Sequence, residues 1–329
     1  MKIQMEHGSE SFSGASVTHR AIRESRVSRF VGLKAQSVVD VVAVEEPLEI
    51  QLGYGPRYMR RVKSISVTMR TPGQDFALAA GFLLTEGVVR DVNDIERIEY
   101  VLGPSAREDR PKRALEMGSE ELDSSMLPID AKSSTVRVEL VPDVEVNTVS
   151  LERNFYATSS CGVCGKASLL ALRAVCPARQ SNTLQVEARL LYSLPASLRG
   201  AQGTFDQTGG LHAAGLFDAR GELRSVCEDV GRHNAVDKLL GSEFFADRIP
   251  LRNCILLLSG RASFELVQKA LMGGISMVVS VGAPSSLAVD MATEFDITLV
   301  GFLRDGHFNV YHGRERVTGS IENGAGGIR

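Results

Sequence analysis

Short apolar runs with strand-like spacing dominate the first half of the 329-residue chain. Residues 38–44 are rich in β-branched side chains, residues 62–69 alternate loosely between apolar and polar positions, and residues 135–141 return to such alternation, so each stretch predicts a strand. Between the second and third stretches lies an apolar run that predicts one helix, with Asp75 as its N-cap and a glycine where it stops. We therefore predict a small α+β lobe over residues 37–150.

Two polar segments precede or interrupt this lobe. Residues 1–36 carry arginines among serine and glycine, and they lack the apolar core and cleavage site of a secretory signal. Residues 103–128 are dense in charge and poor in large apolar side chains. We predict that the first segment is a disordered tail and that the second is a flexible insertion.

Strands alternate with helices in the second half of the chain. Residues 211–217 and 223–226 flank a turn and predict a hairpin, which is followed by a helix over residues 230–240. The later elements are a strand at 254–258, a helix at 262–272, a strand at 277–281, a helix at 285–295, and strands at 297–302 and 307–311. This alternation predicts a layered α/β domain over residues 151–329, with a partly parallel sheet.

Composition narrows the class of protein but selects no ligand. Hydrophobic residues make up 43% and charged residues 23% of the chain, and the formal net charge of −3 argues against a dedicated nucleic-acid-binding protein. No apolar stretch is long enough to span a bilayer, so we expect a soluble protein that does not bind membranes. Five cysteines in a chain of this length do not predict a secreted disulfide framework, and reduced thiols are expected.

The most informative segment contains Cys161 and Cys164, which are separated by Gly162 and Val163. The segment is rich in serine, threonine and glycine and precedes an apolar run. Both thiols are therefore predicted at the start of a helix, where free backbone N–H groups and the helix dipole favour the thiolate. Such a thiolate can attack a donor persulfide, hold the sulfur as Cys–S–SH and release it to an acceptor.

The cysteine pair alone allows other functions. It can supply half of a structural zinc site, although the remaining cysteines, Cys176, Cys227 and Cys254, form no second such pair. It can also support dithiol exchange of the thioredoxin type. A zinc-stabilised binding module and a cofactor chaperone without sulfur transfer therefore remain as alternatives to a sulfur carrier.

Several longer motifs accompany the cysteine pair. In chain order they are AAGFLLTEG, SSCGVCGKASL, TGGLHAAGLFD, CEDVGRHNAVDKLLG, LLLSGRASFELVQKA and VGAPSSLAVDMA. Through these motifs the chain, from about Val38 to Val317, resembles the formate dehydrogenase accessory sulfurtransferases, the FdhD family.

This resemblance implies a cytidine-deaminase-like α/β fold for residues 151–329 and a cytoplasmic sulfurtransferase activity. It implies that Cys161 carries the persulfide, with Cys164 as its partner in the motif, and that a cysteine desulfurase donates the sulfur. The implied acceptor is the bis(molybdopterin guanine dinucleotide) molybdenum cofactor, before its insertion into formate dehydrogenase. The cofactor is then a substrate, and neither a permanent cofactor nor a bound metal is expected. A homodimer is implied as well.

The resemblance also places the guanine dinucleotide end of the cofactor at one loop. This loop comprises Phe302, Leu303, Arg304, Asp305, Gly306 and His307. It follows a predicted strand, and ligands of α/β sheets favour such carboxyl-terminal strand ends. Arg304 could contact phosphate and Phe302 could stack on a base, although the Arg-Asp-Gly-His sequence also suits a plain turn.

Zinc deaminases share the implied fold, and their chemistry requires His/Cys-x-Glu together with Pro-Cys-x-x-Cys. The chain contains neither motif. Neither His212 nor His233 is followed by glutamate at the required position, and the residue before the Cys161–Cys164 pair is Ser160 instead of proline. The residues therefore disfavour deamination.

Further candidates are less specific. Two strand-to-helix loops, residues 259–263 and 282–286, suit either an anionic ligand or ordinary helix capping. Polar side chains crowd the predicted helix at 230–240; they are Asp229, Arg232, His233, Asn234 and Asp237. These side chains either satisfy one another structurally or form a pocket wall, and His212 has the same two interpretations.

Overall fold

The structure is a computed structural model that describes residues 4–5, 21–101, 134–142, 144–146, 183–304 and 306–319. Within these ranges the strands are β1 (Gln4–Met5), β2 (Ile22–Val31), β3 (Lys34–Ala43), β4 (Glu46–Tyr54), β5 (Arg61–Arg70), β6 (Ile95–Tyr100), β7 (Thr135–Leu140), β8 (Val186–Glu187), β9 (His212–Asp218), β10 (Leu223–Asp229), β11 (Cys254–Leu258), β12 (Met277–Ser280), β13 (Thr298–Arg304), β14 (His307–His312) and β15 (Val317–Thr318). The α-helices are α1 (Asp75–Thr85), α2 (Ala188–Leu191), α3 (Leu194–Gly200), α4 (Gly203–Thr208), α5 (Arg232–Phe245), α6 (Phe264–Met272) and α7 (Ser286–Phe295).

A six-stranded mixed sheet organises the second half of the chain, in the order β10-β9-β11-β12-β13-β14. Strands β11, β12 and β13 are parallel, and β9 pairs antiparallel with both β10 and β11. Parallel neighbours need crossover connections, and α6 and α7 supply them. The predicted mixed α/β class is therefore confirmed.

Both faces of this sheet are covered, as the continuous apolar sequence of β11 indicates. Leu256 and Val278 belong to a core that includes side chains of α5, α6 and α7. Leu257 and Val279 face the opposite side and belong to a second core, to which Leu198 of α3 contributes. The sheet is thus the middle layer of the carboxyl-terminal part.

A second sheet lies in the amino-terminal part, with five strands in the order β1-β6-β7-β4-β5. Its buried side chains, among them Leu48 and Val138, share one core with Leu256 of the six-stranded sheet. Helices α1 and α5 pack between the two sheets and cross at Gly81 and Gly241. A Cβ built at either glycine would overlap a backbone carbonyl oxygen of the other helix, so the two helices can approach this closely only because both residues lack a side chain.

The amino-terminal prediction needs two corrections. Residues 22–36 are not a disordered tail, because β2 pairs with β3 from Ile22↔Ala43 to Val31↔Lys34 in an antiparallel hairpin. The polar composition misled the prediction, since backbone hydrogen bonds can hold a solvent-exposed strand whose side chains are polar. Helix α1 is also capped differently: Gln74 is the N-cap, and the Asp75 carboxylate binds the Arg70 guanidinium through two hydrogen bonds of 2.9 Å.

Other predictions lie outside the described residues or were incomplete. The polar insertion predicted at 103–128 lies outside the described residues. Among the elements that the structure does describe, β4, β6 and the helices α2 to α4 were not predicted from the sequence. Among the helices described, none combines the length and the apolar character that crossing a membrane would require.

Candidate functional site

Several strand ends of the six-stranded sheet meet along one edge, called the carboxyl edge below. The parallel strands β11, β12 and β13 end there and lead into the candidate loops at residues 259–263, 282–286 and 302–307. Because β9 runs in the opposite direction, it begins at this edge with His212, which pairs with Asp229 at the end of β10. Every candidate from the sequence other than the cysteines therefore maps to this edge or to the helices that start from it.

Backbone hydrogen bonds join the three loops into a continuous rim. The N–H of Gly282 donates to the carbonyl of Gly260 over 2.9 Å, and the N–H of Phe302 donates to the carbonyl of Gly282 over 3.0 Å. A Cβ at Gly301 would lie 2.8 Å from the Cδ of Pro284, so a glycine is needed where β13 passes the neighbouring loop. The rim is held by main-chain contacts and is consequently independent of side-chain rotamers.

The predicted dinucleotide loop is a tight turn between β13 and β14, with Arg304 paired to His307. Phe302 has a φ of 56°, which is rare for a residue with a bulky side chain, and backbone strain of this kind is often found at binding sites. Arg304, Gly306 and His307 are exposed, and Phe302 is half-buried. The side chain of Leu303 is 1% exposed and packs in the core, which leaves only its backbone for a ligand. Asp305 lies outside the described residues.

Most of the polar side chains around α5 have structural partners. The buried Lys238 ammonium contacts the Asp229 carboxylate over 2.7 Å and donates to the carbonyl of Thr71 over 2.7 Å. The Asn234 amide donates to the carbonyl of Met69 over 2.8 Å. These contacts join the helix to the end of β5 and the residue after it, which confirms the structural interpretation for Asp229 and Asn234.

Asp237 is also structural. Its buried carboxylate accepts hydrogen bonds from the Lys269 ammonium over 2.9 Å and from the Thr85 hydroxyl over 3.0 Å. Burial raises the pKa of Asp237, and the Lys269 charge opposes this shift. The residue therefore joins α5 to α6 and α1 instead of facing a ligand.

The side chains of His212, Arg232 and His233 differ from these because none of them has a hydrogen-bond partner among the described residues. Burial, together with the charges of Lys269 and Arg232, lowers the pKa of His233 to about 4. Burial and the Arg232 charge also lower the pKa of His212. Both imidazoles are thus neutral at pH 7, next to one guanidinium.

A cleft of about 790 Å³ opens beside the carboxyl edge. Its lining residues include Leu198, Gln202, Phe205, His212, Ser259 and Val281. Gln202 is 4% exposed, and its Nε2 is buried without a hydrogen-bond partner in the described part of the chain. The sequence did not indicate the part of this wall that comes from α3 and α4, because those short helices show no sustained apolar periodicity.

Comparison with known proteins gives the family. The model of the FdhD/NarQ family matches residues 43–318. A "Sulfur carrier protein FdhD" of Streptomyces avermitilis is 48% identical over 84% of this chain and 89% of that protein. A protein of the same name from Mycobacterium tuberculosis is 45% identical over 93% of this chain and 100% of that protein. The chain belongs to the FdhD/NarQ family.

A solved structure shows that the fold is shared. A crystal structure of a candidate formate dehydrogenase accessory protein from Desulfotalea psychrophila matches with a TM-score of 0.63. The match covers 91% of this chain and 100% of that one at 21% identity, so the two proteins share the fold.

The matched family region contains all four carboxyl-terminal motifs singled out above, and they converge in the structure. TGGLHAAGLFD contains β9, CEDVGRHNAVDKLLG forms the end of β10 and most of α5, and LLLSGRASFELVQKA runs from the end of β11 through most of α6. VGAPSSLAVDMA follows β12 and enters α7. All of them contribute to the carboxyl edge. The Cys161 and Cys164 motif lies outside the described residues.

The neutral state of His233 has a measurable consequence for stability. The pKa of the unfolded histidine is about 6.5 and that in the folded protein about 4, so the unfolded chain binds more protons between these values. We expect the free energy of unfolding to fall by on the order of 2 kcal/mol as the pH is lowered through this window. Denaturant unfolding at pH 4 to 7 measures it, and His233→Gln should flatten the curve.

The matched control for that measurement is His307→Gln, since His307 is exposed on the turn between β13 and β14. It should leave the wild-type pH dependence unchanged. Equal slopes for wild type and His233→Gln would show that His233 is not held neutral in the folded protein.

Proposed function

We propose that this chain is a sulfurtransferase that carries sulfur as a persulfide on Cys161 and delivers it to a molybdenum cofactor of the bis(molybdopterin guanine dinucleotide) type. In this proposal a cysteine desulfurase is the donor and formate dehydrogenase receives the sulfurated cofactor. The observation that carries the proposal is the 45–48% identity, over most of both chains, to proteins named sulfur carriers. The Cys161-Gly162-Val163-Cys164 motif supplies the thiols that such a carrier needs.

The loading step is a balanced exchange. The Cys161 thiolate attacks the outer sulfur of the donor persulfide, a new S–S bond forms, the donor S–S bond breaks and the donor leaves as a thiolate. No external oxidant or reductant is consumed, because the transferred sulfur keeps its oxidation state. Cys164 is the nearest thiol in sequence that could resolve the persulfide, by forming a disulfide with Cys161 and expelling the outer sulfur as hydrosulfide.

The acceptor is assigned to the carboxyl edge. Phe302 supplies an aromatic face, and Arg304 and His307 supply exposed polar groups on a turn held by the rim. The adjacent cleft of about 790 Å³ is large enough for a nucleotide-sized group. The cofactor is cargo in this proposal, so the protein must bind it reversibly.

Two architectural expectations belong to the same proposal. The order β10-β9-β11-β12-β13, with β9 antiparallel to β11, supports a cytidine-deaminase-like arrangement of the carboxyl-terminal part. The helix starts that would carry the zinc ligands of a deaminase hold Arg232 and His233 on α5, and Ala262 and Ser263 before α6. A homodimer is proposed as the assembled form.

Persulfide loading is tested by incubating the full-length protein with a cysteine desulfurase and ³⁵S-labelled cysteine, followed by non-reducing electrophoresis. The wild type should acquire label that dithiothreitol removes. Cys161→Ala should lower the label by roughly tenfold or more, because the attacking thiolate is gone. Cys164→Ala should keep label if Cys164 acts only after loading.

The matched control is Cys227→Ala, since Cys227 is buried and burial raises its pKa to about 12, which makes it a poor nucleophile. This variant should be labelled like the wild type. Label that persists in Cys161→Ala, or that resists dithiothreitol, would contradict the proposal. If the protein instead contained one zinc ion per chain, bound by both cysteines, the zinc-stabilised module would be favoured. If a variant without either cysteine still delivered the cofactor, a chaperone without sulfur transfer would be favoured.

A further inference from the structure

Arg232 is the unusual charge of the carboxyl edge. Its Nε is buried, and no hydrogen bond or ion pair joins its guanidinium to another residue that the structure describes. Arginines that are more deeply buried than Arg232 have such partners: Arg70 binds Asp75, and Arg316 binds Asp296. Burying part of a guanidinium without a partner costs free energy, so this position is suited to an anion supplied from outside the chain.

Two neutral histidines complete the surroundings of Arg232. The Nε2 of His233 is buried, and neither this atom nor the His212 imidazole makes a hydrogen bond to any described residue. A neutral imidazole offers one N–H donor, which an anionic oxygen can accept without a change in protonation. Gly260 lies against the His212 ring, because a Cβ at this glycine would be 3.5 Å from Nδ1. The absent side chain leaves space beside that ring.

Other charges near the two histidines are already engaged or exposed. Lys269, which faces His233, binds the Asp237 carboxylate over 2.9 Å. Asp229, which faces His212, is occupied by Lys238 and by the backbone N–H of Gly231. Glu265 faces both His233 and Arg232 but forms no ion pair with either, and its side chain is exposed, so solvent screens its charge. Arg232 is therefore the cation with free hydrogen-bonding capacity among these groups.

The position along the sheet relates this cluster to the rest of the site. His212 lines the cleft that contains the buried, unpartnered Gln202 amide. From β9 to β13 there are three strand spacings, which puts the cluster about 14 Å from the Phe302 loop along the carboxyl edge. A ligand with a diphosphate between two ring systems is long enough to reach both places.

We propose that Arg232, together with His212 and His233, binds a phosphate-type oxyanion, namely the diphosphate group of the sulfur acceptor. The guanidinium would donate two parallel hydrogen bonds to phosphate oxygens, and each histidine would donate one. The identity of the ligand rests on the proposed function, whereas binding of the oxyanion itself does not require sulfur chemistry.

The test uses inorganic diphosphate as the probe and the full-length protein, by isothermal titration calorimetry at constant ionic strength without divalent cations. The wild type should bind diphosphate saturably and more tightly than orthophosphate. Arg232→Gln should weaken binding at least tenfold, which corresponds to about 1.4 kcal/mol, because two charge-assisted hydrogen bonds are lost. Arg220→Gln, on the exposed turn at the opposite end of β9, should bind like the wild type.

A folding defect in Arg232→Gln would be detected by its melting temperature, and His212→Asn then provides the second variant, with weakened binding expected again. Absence of saturable binding to the wild type, or wild-type affinity in Arg232→Gln or in His212→Asn, would overturn the inference. A protein that takes up the persulfide label but does not bind diphosphate would contradict the oxyanion site at Arg232 and leave the proposed function intact. Diphosphate binding that depends on Arg232, in a protein that takes up no label, would count against the proposed function alone.

Discussion

Gly241→Ala is expected to destabilise the protein by about 3 kcal/mol or more, which is a large effect for one methyl group. A Cβ at this position would overlap the carbonyl oxygen of Ala77, in the backbone of α1. Side chains can rotate away from an added methyl group, but the backbone of a packed helix cannot, so α1 and α5 would have to separate. Separation would loosen the core that both sheets share. Denaturant unfolding measures the change.

Gly200→Ala is the matched control. Gly200 is also helical, at the end of α3, and a Cβ built there meets no atom within 4 Å. The same chemical change should therefore be neutral or slightly stabilising, since alanine favours the helix over glycine. If Gly241→Ala were as stable as Gly200→Ala, the close crossing of α1 and α5 would be refuted.

The second large effect concerns Lys238→Met, for which we expect a loss of about 3–5 kcal/mol in the free energy of unfolding. The Lys238 ammonium is 2% exposed and the Asp229 carboxylate is fully buried. Methionine keeps most of the volume but leaves Asp229 charged and unpaired and the Thr71 carbonyl without its donor. Chemical denaturation at pH 7 measures the loss.

Two further variants make this result interpretable. Arg57→Gln removes an exposed ion pair with Glu96 and should change stability by less than about 0.5 kcal/mol. Asp229→Asn combined with Lys238→Met should recover part of the loss, because no unpaired charge is left. A loss below about 1 kcal/mol in Lys238→Met would show that the pair is not buried as described.

The Lys238 contact also connects stability with the proposed site. Asp229 accepts hydrogen bonds from the backbone N–H of Gly231 and from the Asn234 amide, over 2.8 and 3.0 Å. It thereby fixes the start of α5, where Arg232 and His233 lie. A buried ion pair that joins the end of β10 to α5 thus positions residues of the carboxyl edge.

The sequence pattern was sufficient to place a strand or helix wherever the periodicity of apolar residues was strong. The apolar run of β11 and the amphipathic helices α6 and α7 were placed within two residues of their observed ends, because burial on both sheet faces or on one helix face leaves a clear pattern. The cysteine motif and the family resemblance also came from sequence alone. Family membership is confirmed, while the role of Cys161 stays a proposal.

The sequence-based prediction was least accurate for polar segments. The hairpin β2–β3 was read as disorder, since its strands are held by backbone hydrogen bonds between largely exposed residues. Composition describes side chains, and it is silent about main-chain pairing with a segment farther along the chain.

The sequence by itself determined the fold class, the family and the functional groups that each loop contains. Only the tertiary structure decided which polar side chains are free: those of Asp229, Asn234 and Asp237 are bound to other parts of the chain, whereas those of Arg232, His212 and His233 are not bound to any described residue. The physical reason is that the partners are about 30 to 170 positions away in sequence, so their pairing depends on how the sheets and helices pack.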